Sequence, residues 1–135
     1  GKERKQLLQF IEENDLHQHV ILKGFLSPKL LAEEFNNADF LISPTLHETF
    51  GLVIAEAMAC GLPVITTNKT APKELVGDDC GILIDPNNKE ELLLSIQAME
   101  KTIKNYDSNL IRDKIVNRCS VSNFGKRLFT IYQSL

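Results

Sequence analysis

Two glutamates with a fixed spacing are the residues in this sequence that point most directly to chemistry. Glu48 and Glu56 enclose seven uncharged residues, and Gly51 among them marks a predicted helix start. Carboxylates accept strong, charge-assisted hydrogen bonds, whereas the free amides and the dipole at a helix start favour an anion. This combination predicts a site for a ligand that carries both hydroxyl groups and phosphate.

The distance between the two acids fits such a ligand. Eight residues at helical rise span at most about 12 Å, which suits two hydroxyl-bearing groups joined by a diphosphate. Glu56 stands on a helix that is otherwise apolar, so we expect it to be paired or to face a cleft. We expect Glu48 to hold a sugar ring and Glu56 a ribose, although the spacing alone also allows an unrelated pair of acids.

The composition is that of a single globular domain. The chain has 135 residues, of which 43% are apolar, and a net charge of −3. The negative charge argues against general nucleic-acid binding. Three widely spaced cysteines argue against a disulfide framework and against a zinc site, and they favour the reducing cytoplasm.

The C-terminal end of the chain is basic. From Arg112 to Leu135 there are five basic residues and one acid. A polar helix face is the first interpretation, and a contact with an anionic partner or a membrane surface is the second.

The pattern of apolar residues predicts an α/β fold. Four short apolar runs without polar alternation are expected to form strands covered on both faces. They occupy residues 20–22, 40–42, 64–66 and 82–84. Helical patterns separate them, which predicts a Rossmann-like parallel sheet with right-handed crossovers and helices on both faces, formed by residues 1–135.

The helices have recognisable ends. Ser27 is a predicted N-cap before a proline, Gly61 is expected to end the helix that contains Glu56, and Asn88 with Glu91 resembles a capping box. The predicted helices cover residues 2–14, 51–60, 72–76 and about 122–134, with two more starting at Ser27 and Asn88. Apolar residues on the last helix, at 124, 128, 131 and 135, are expected to lie in the core or against a partner domain.

The sequence closely resembles the retaining glycosyltransferases of family four, which have the GT-B fold. The resemblance covers nearly the whole chain and centres on the E-x7-E motif from Glu48 to Glu56. The other matching segments are Ala38-Asp39, Ser43-Pro44, Gly61-Leu62-Pro63-Val64, residues 72–76 and residues 81–84, and the tail from Ser122 to Leu135 resembles the closing helix of the family.

The resemblance implies that the chain is the C-terminal, donor-binding half of a GT-B enzyme. Such an enzyme moves a sugar from a nucleotide diphosphate sugar, such as a UDP-sugar, to an acceptor in surface polysaccharide or glycolipid synthesis. Glu48 is then the residue at the reacting centre. The donor-binding residues implied are Thr49, Phe50, Gly51, Leu52, Val53 and Glu56, with Phe25 and Leu26 lining the base pocket. Neither a metal nor another cofactor is implied.

One departure from the family pattern bears on completeness, namely that parts of the family's architecture are absent from the sequence. The first strand-helix-strand unit of a donor domain, with its Arg and Lys for the diphosphate, is not found before Val20. The acceptor-binding N-terminal domain is likewise outside the sequence. We therefore expect a truncated piece that is inactive alone. The whole enzyme would reach an acceptor sugar or glycolipid through the missing domain, in the cytoplasm, with a peripheral contact at the inner membrane face.

Two other functions remain open at this point. A nucleotide-sugar epimerase shares the GT-B fold, although the Glu48–Glu56 block favours a transferase. A non-enzymatic binding module of Rossmann type is the alternative from another class, and it would not distinguish UDP from UMP.

Overall fold

The computed structural model describes residues 3–69 and 72–133. Three strands alternate with helices, in the order that the apolar runs predict. The strands are β1 (Leu41–Ser43), β2 (Val64–Thr67) and β3 (Gly81–Ile84). The helices are α1 (Arg4–Glu13), α2 (Pro28–Asn36), α3 (Leu52–Ala59), α4 (Pro72–Leu75), α5 (Lys89–Thr102), α6 (Ser108–Cys119) and α7 (Val121–Gln133), with a 3-10 turn at Ile103–Asn105 after α5.

The described strands form one parallel sheet in the order β1-β2-β3. The register pairs Ser43 with Thr66 on one side of β2, and Val64 with Gly81 on the other. All four residues of β2 are buried, and all are β-branched, which suits a strand covered on both faces. The predicted parallel α/β arrangement is confirmed.

Helices cover both faces of this sheet. Val64 belongs to a core cluster that contains residues of α3 and α6, such as Ile54 and Ile111. Its neighbour Ile65 belongs to a second cluster with Met99 of α5. Successive side chains of a strand point to opposite faces, so the two clusters lie on the two sides of β2, as the apolar runs predict.

The predicted helix caps are present. The Ser27 hydroxyl accepts a hydrogen bond from the Leu30 amide at 3.5 Å, and the Asn88 side chain accepts one from the Glu91 amide at 3.0 Å. Gly61 follows α3 with φ +81°, a left-handed conformation that glycine adopts without strain. These signals are local to a few residues, and therefore the sequence alone could identify them.

The strand predicted at residues 20–22 is wrong. These residues are irregular in the structure, and Ile21 is 74% exposed. The Leu22 carbonyl accepts hydrogen bonds at 3.5 Å from the Arg4 guanidinium of α1 instead of joining the ladder. An apolar run forms a buried strand only where helices cover it, and among the described residues nothing buries Ile21.

A helix that the sequence patterns did not predict, α6, lies against α3. Asp107 caps it, accepting from the Asn109 amide at 2.8 Å, and Ile111 and Ile115 are buried. Three of the five C-terminal basic residues lie on α6, and their side chains bond to other segments of the domain. Arg112 donates to the Ala59 carbonyl at 3.0 Å, Arg118 pairs with Glu74 at 3.0 Å, and Lys114 pairs with Asp79.

The apolar stripe on α7 is not part of the core. Phe124, Leu128 and Ile131 are all exposed, and α7 contacts α6. Residue 135 lies outside the described residues. The prediction that this stripe lies in the core is therefore wrong for the described residues. The alternative, that it contacts a partner domain, stays a prediction.

In the described part of the chain, no helix combines the length and the apolar character that a membrane crossing requires.

Thiol labelling should distinguish the three cysteines. Cys80 is fully buried, and this burial, followed by the nearby Asp79 carboxylate, raises the pKa of its thiol. Cys60 and Cys119 are only half-buried. Because the thiolate is the reactive form, we expect iodoacetamide at pH 7.5 to modify Cys60 and Cys119 first, as followed by mass spectrometry. Equal labelling of all three in the native protein, rather than only in denaturant, would contradict this burial.

Candidate functional site

The site begins where β1 ends. Pro44 follows the strand and has no amide hydrogen, so the ladder cannot continue through it. Two buried threonines of β2 donate side-chain hydrogen bonds to the segment around this point. The Thr66 hydroxyl donates to the Ser43 carbonyl at 2.8 Å, and the Thr67 hydroxyl donates to the Thr45 carbonyl at 2.9 Å. The loop that carries Glu48 therefore leaves the sheet from a fixed point.

Gly51 then turns the chain into α3. It has φ +81° and ψ +48°, in the left-handed region. A Cβ at this position would lie 3.4 Å from Ile54 Cδ1 and 3.6 Å from Glu48 Cγ, so the turn is closely packed. The half-buried Glu48 accepts a hydrogen bond from the Phe50 amide at 3.4 Å. Glu48 is thus held next to the start of the helix.

The start of α3 presents backbone amides. Its first intrahelical hydrogen bond runs from the Ala55 amide to the Gly51 carbonyl at 2.9 Å. The amides of residues 52–54 precede this bond and are the ones that have no acceptor within a helix. The first turn of α3 contains no acid of its own, and the Glu48 carboxylate that precedes it accepts from the Phe50 amide. This end of the helix can receive an anion.

Glu56 lies one turn further along α3, on its exposed side. It borders a largely apolar groove of about 300 Å³ between α3 and α6. The other lining residues are Phe50, Leu52, Ala55, Ala59, Ile115, Val116, Cys119 and Ser120. Glu56 is the only charged side chain among them, so its carboxylate faces an apolar groove on one side and solvent on the other.

The remaining predicted site residues lie near the surface. Thr49 is exposed in the Glu48 loop, and Val53 is half-buried in the first turn of α3. Phe25 is 97% exposed and Leu26 is half-buried, both just before α2. The structure brings Phe50, Leu52 and Glu56 together at one groove, whose lining does not include Phe25 and Leu26.

A second groove lies at the carboxyl ends of β1 and β3, and the sequence reasoning missed it. Its volume is about 270 Å³, and it is lined by Pro44, Ile84, Asp85, Asn87, Asn88, Lys89 and Leu92. The Asp85 amide donates to Glu91 Oε2 at 2.8 Å, and the Asp85 carboxylate accepts from Asn68. Ligands of open α/β sheets bind at this edge. The signal available in the sequence was the turn-forming segment Asp85-Pro86-Asn87-Asn88 directly after a strand.

The shifted ionisable groups lie at the opposite, amino-terminal edge of the sheet. A hydrogen bond from Lys114 lowers the pKa of Asp79, and the same bond raises the pKa of Lys114. Burial raises the pKa of Tyr106. Across residues 3–69 and 72–133, no group of three or more His, Cys, Asp or Glu side chains is arranged to hold a metal ion.

Comparison with known proteins identifies the family. The family model described as "Glycosyl transferases group 1" matches residues 1–112. The chain belongs to this family. The Glu48 loop and α3 lie within the matched region, so the geometry above is that of a group 1 glycosyltransferase domain.

Individual relatives agree with this assignment. The O-antigen chain mannosyltransferase B of Escherichia coli is 34% identical over 92 residues, which are 68% of this chain and 24% of that protein. Sucrose synthase 6 of Arabidopsis thaliana is 46% identical over an alignment of 108 positions, which covers 71% of this chain and 12% of that protein. The glycosyltransferase domain thus spans about a third or less of the length of such curated relatives.

Known structures show the same fold. The sucrose-phosphate synthase from Thermosynechococcus elongatus superimposes with a TM-score of 0.85 at 24% identity, over 99% of this chain and 34% of that one. Anabaena HepE, in complex with UDP-glucose, superimposes with a TM-score of 0.80 at 25% identity, over 97% and 36%. The predicted fold class is confirmed: the sheet and its helices are part of a GT-B glycosyltransferase.

Proposed function

We propose that this chain is the donor-binding part of a retaining glycosyltransferase that takes a sugar from a nucleotide diphosphate sugar. The observation that carries the proposal is the left-handed turn at Gly51. This turn sets the Glu48 carboxylate beside the free amides of α3. Membership of the group 1 family and the likeness to HepE, which was crystallised with UDP and with UDP-glucose, support it.

Each part of the donor would meet a different part of this site. The amides of Phe50, Gly51, Leu52 and Val53 suit the distal phosphate, because they lie at the positive helix start. The Phe50 amide would exchange its 3.4 Å bond to Glu48 for one to the donor. Glu48, with Thr49 beside it, would hold the hydroxyl groups of the donor sugar. Glu56 would accept hydrogen bonds from the ribose, since its carboxylate is exposed on the same helix. Phe25 and Leu26 would contact the base.

The chemical contribution of the site would be electrostatic. Negative charge grows on the leaving diphosphate as the bond to the anomeric carbon breaks, and fixed amides aimed at that charge stabilise it without reorganisation. Glu48 would orient the sugar at the reacting centre. Because the amides serve the diphosphate, no metal ion or other cofactor is needed for this step.

The setting of the reaction is part of the same proposal. An acceptor sugar or glycolipid would bind to parts of the enzyme beyond this chain, in the synthesis of a surface polysaccharide. The similarity to an O-antigen mannosyltransferase supports this assignment. We place the enzyme in the cytoplasm, with a peripheral contact at the inner membrane face.

Nucleotide titration of the full-length protein tests the proposal. We expect UDP, and more strongly UDP-glucose, to bind in isothermal titration calorimetry, with UMP weaker because it lacks the distal phosphate. EDTA should leave the affinity unchanged. Glu56→Gln should weaken UDP binding roughly tenfold, because a charge-assisted hydrogen bond contributes about 1.5–3 kcal/mol.

A matched control separates the role of Glu56 from a general loss of charge. Glu100 is an exposed glutamate on α5, and Glu100→Gln should leave the affinity as in the wild type. GDP and ADP, each with its glucose conjugate, would identify the base. If UDP and UMP bound equally well, or if Glu56→Gln bound UDP like the wild type, the donor-site assignment would fail.

A further inference from the structure

Two adjacent threonines in the central strand reach across to the segment that leads to Glu48. The side chains of Thr66 and Thr67 are completely buried, with exposures of 0% and 1%. Their hydroxyl groups donate to the Ser43 and Thr45 carbonyls at 2.8 and 2.9 Å. Both bonds are well formed, but they act on different parts of the chain.

The bond of Thr66 duplicates a connection that exists without it. Thr66 is the strand partner of Ser43, so the backbone ladder already holds these two residues together. The register between β1 and β2 ends at this pair, and Thr67 pairs only with Ile84 on the β3 side. Removing the Thr66 hydroxyl should therefore leave the position of β1 unchanged.

The bond of Thr67 acts beyond the end of the ladder. It reaches past Pro44, which cannot donate a backbone hydrogen bond, to a carbonyl three residues before Glu48. The Thr45 hydroxyl does not help to hold the loop, because it is buried without a hydrogen-bond partner among the described residues. The Thr67 hydroxyl is thus the side-chain contact that continues the connection between β2 and the loop.

We propose that Thr67 is a positioning residue for donor binding, which fixes the Glu48 loop through the Thr45 carbonyl. This inference deepens the proposed function, on which its binding test depends. Without the hydroxyl, the Thr45 carbonyl loses its partner in a part-buried position and the loop must move to satisfy it. Glu48 and the Phe50 amide move with that loop.

Three variants of the full-length protein test the proposal. Thr67→Val removes the hydroxyl at nearly constant volume and should weaken UDP-glucose binding roughly tenfold in calorimetry. Thr66→Val removes the equivalent hydroxyl one residue earlier and should lower the melting temperature without changing the affinity. Thr67→Ser keeps the hydroxyl and should bind like the wild type. Equal loss of affinity in Thr66→Val and Thr67→Val, or no recovery in Thr67→Ser, would refute the positioning role.

A measurement without ligand separates this proposal from the donor assignment. Hydrogen exchange followed by mass spectrometry should show faster exchange in residues 45–50 for Thr67→Val than for Thr66→Val. If the wild type binds no nucleotide sugar, the proposed function fails, and the exchange comparison still decides whether Thr67 holds the loop. Identical exchange in the two valine variants would refute that role, even where donor binding is confirmed.

Discussion

Replacing Gly81 with alanine is expected to abolish the stable fold of this domain. Gly81 is the first residue of β3 and is paired with Val64 of the central strand. A Cβ there would lie 2.9 Å from the Val64 carbonyl carbon and closer still to the oxygen, nearer than real side chains approach. The clashing atoms belong to the backbone of the central strand, and they cannot move away as the end of a flexible side chain could. We expect a loss of more than about 5 kcal/mol, which equals the whole stability of a domain at the lower end of the usual range of about 5–15 kcal/mol.

Gly125 provides the matched control for that substitution. It lies on α7, and an added Cβ would meet nothing within 4 Å. Gly125→Ala should therefore stabilise the helix by about 0.5–1 kcal/mol. Chemical denaturation followed by circular dichroism measures both variants. A Gly81→Ala protein that unfolds at the denaturant concentration of the wild type would show that β3 does not pair with β2 in this register.

The parts of this fold that could be predicted from the sequence are those in which local pattern and tertiary environment agree. The runs that became β2 and β3 are continuously apolar or β-branched and lie under helices on both faces. The caps at Ser27 and Asn88 depend on residues within four positions along the chain. Tertiary contacts did not override either kind of signal.

The predictions from the sequence fail where contacts between distant segments determine the local structure. Residues 20–22 have the composition of a strand, but they become one only if a neighbouring strand and a covering helix are present. The apolar residues of helix α6 form only a weak amphipathic pattern, and Ile111 and Ile115 become buried because the helix packs against α3. The stripe on α7 has the spacing of a core helix, yet amphipathic spacing does not say which surface covers it.

Some features of the candidate site could likewise be predicted from the sequence, and others could not. Gly51 and Glu48 could be recognised from the sequence because a turn and a helix start are local features. The groove at Asp85 and the hydrogen bond from Thr67 to Thr45 could not, because they join segments separated by more than twenty residues. A pattern within one segment does not contain these contacts.

Gly51→Ala should separate the function of the site from the stability of the fold. Alanine in the left-handed region costs about 1–2 kcal/mol, and its methyl group would be in van der Waals contact with Ile54 at 3.4 Å. The strain is relieved if the first turn of α3 rotates, which moves the amides of residues 50–53 away from the distal phosphate. Because each hydrogen bond to a charged group contributes about 1.5–3 kcal/mol, we expect UDP-glucose binding to weaken roughly 100-fold while the protein stays folded.

The other end of the same helix supplies the control. Gly61 also has φ +81°, and a Cβ there would lie 2.7 Å from the Ser108 carbonyl oxygen, a worse clash than at Gly51. Gly61→Ala should therefore lower the melting temperature at least as much as Gly51→Ala, yet retain UDP-glucose binding wherever the protein remains folded, because it leaves the start of α3 in place. Calorimetry at a temperature well below both melting transitions makes the comparison. If both variants lost affinity in proportion to their stability, the start of α3 would have no special part in binding the donor. If Gly51→Ala bound like the wild type, the amides of this turn would not be its phosphate site.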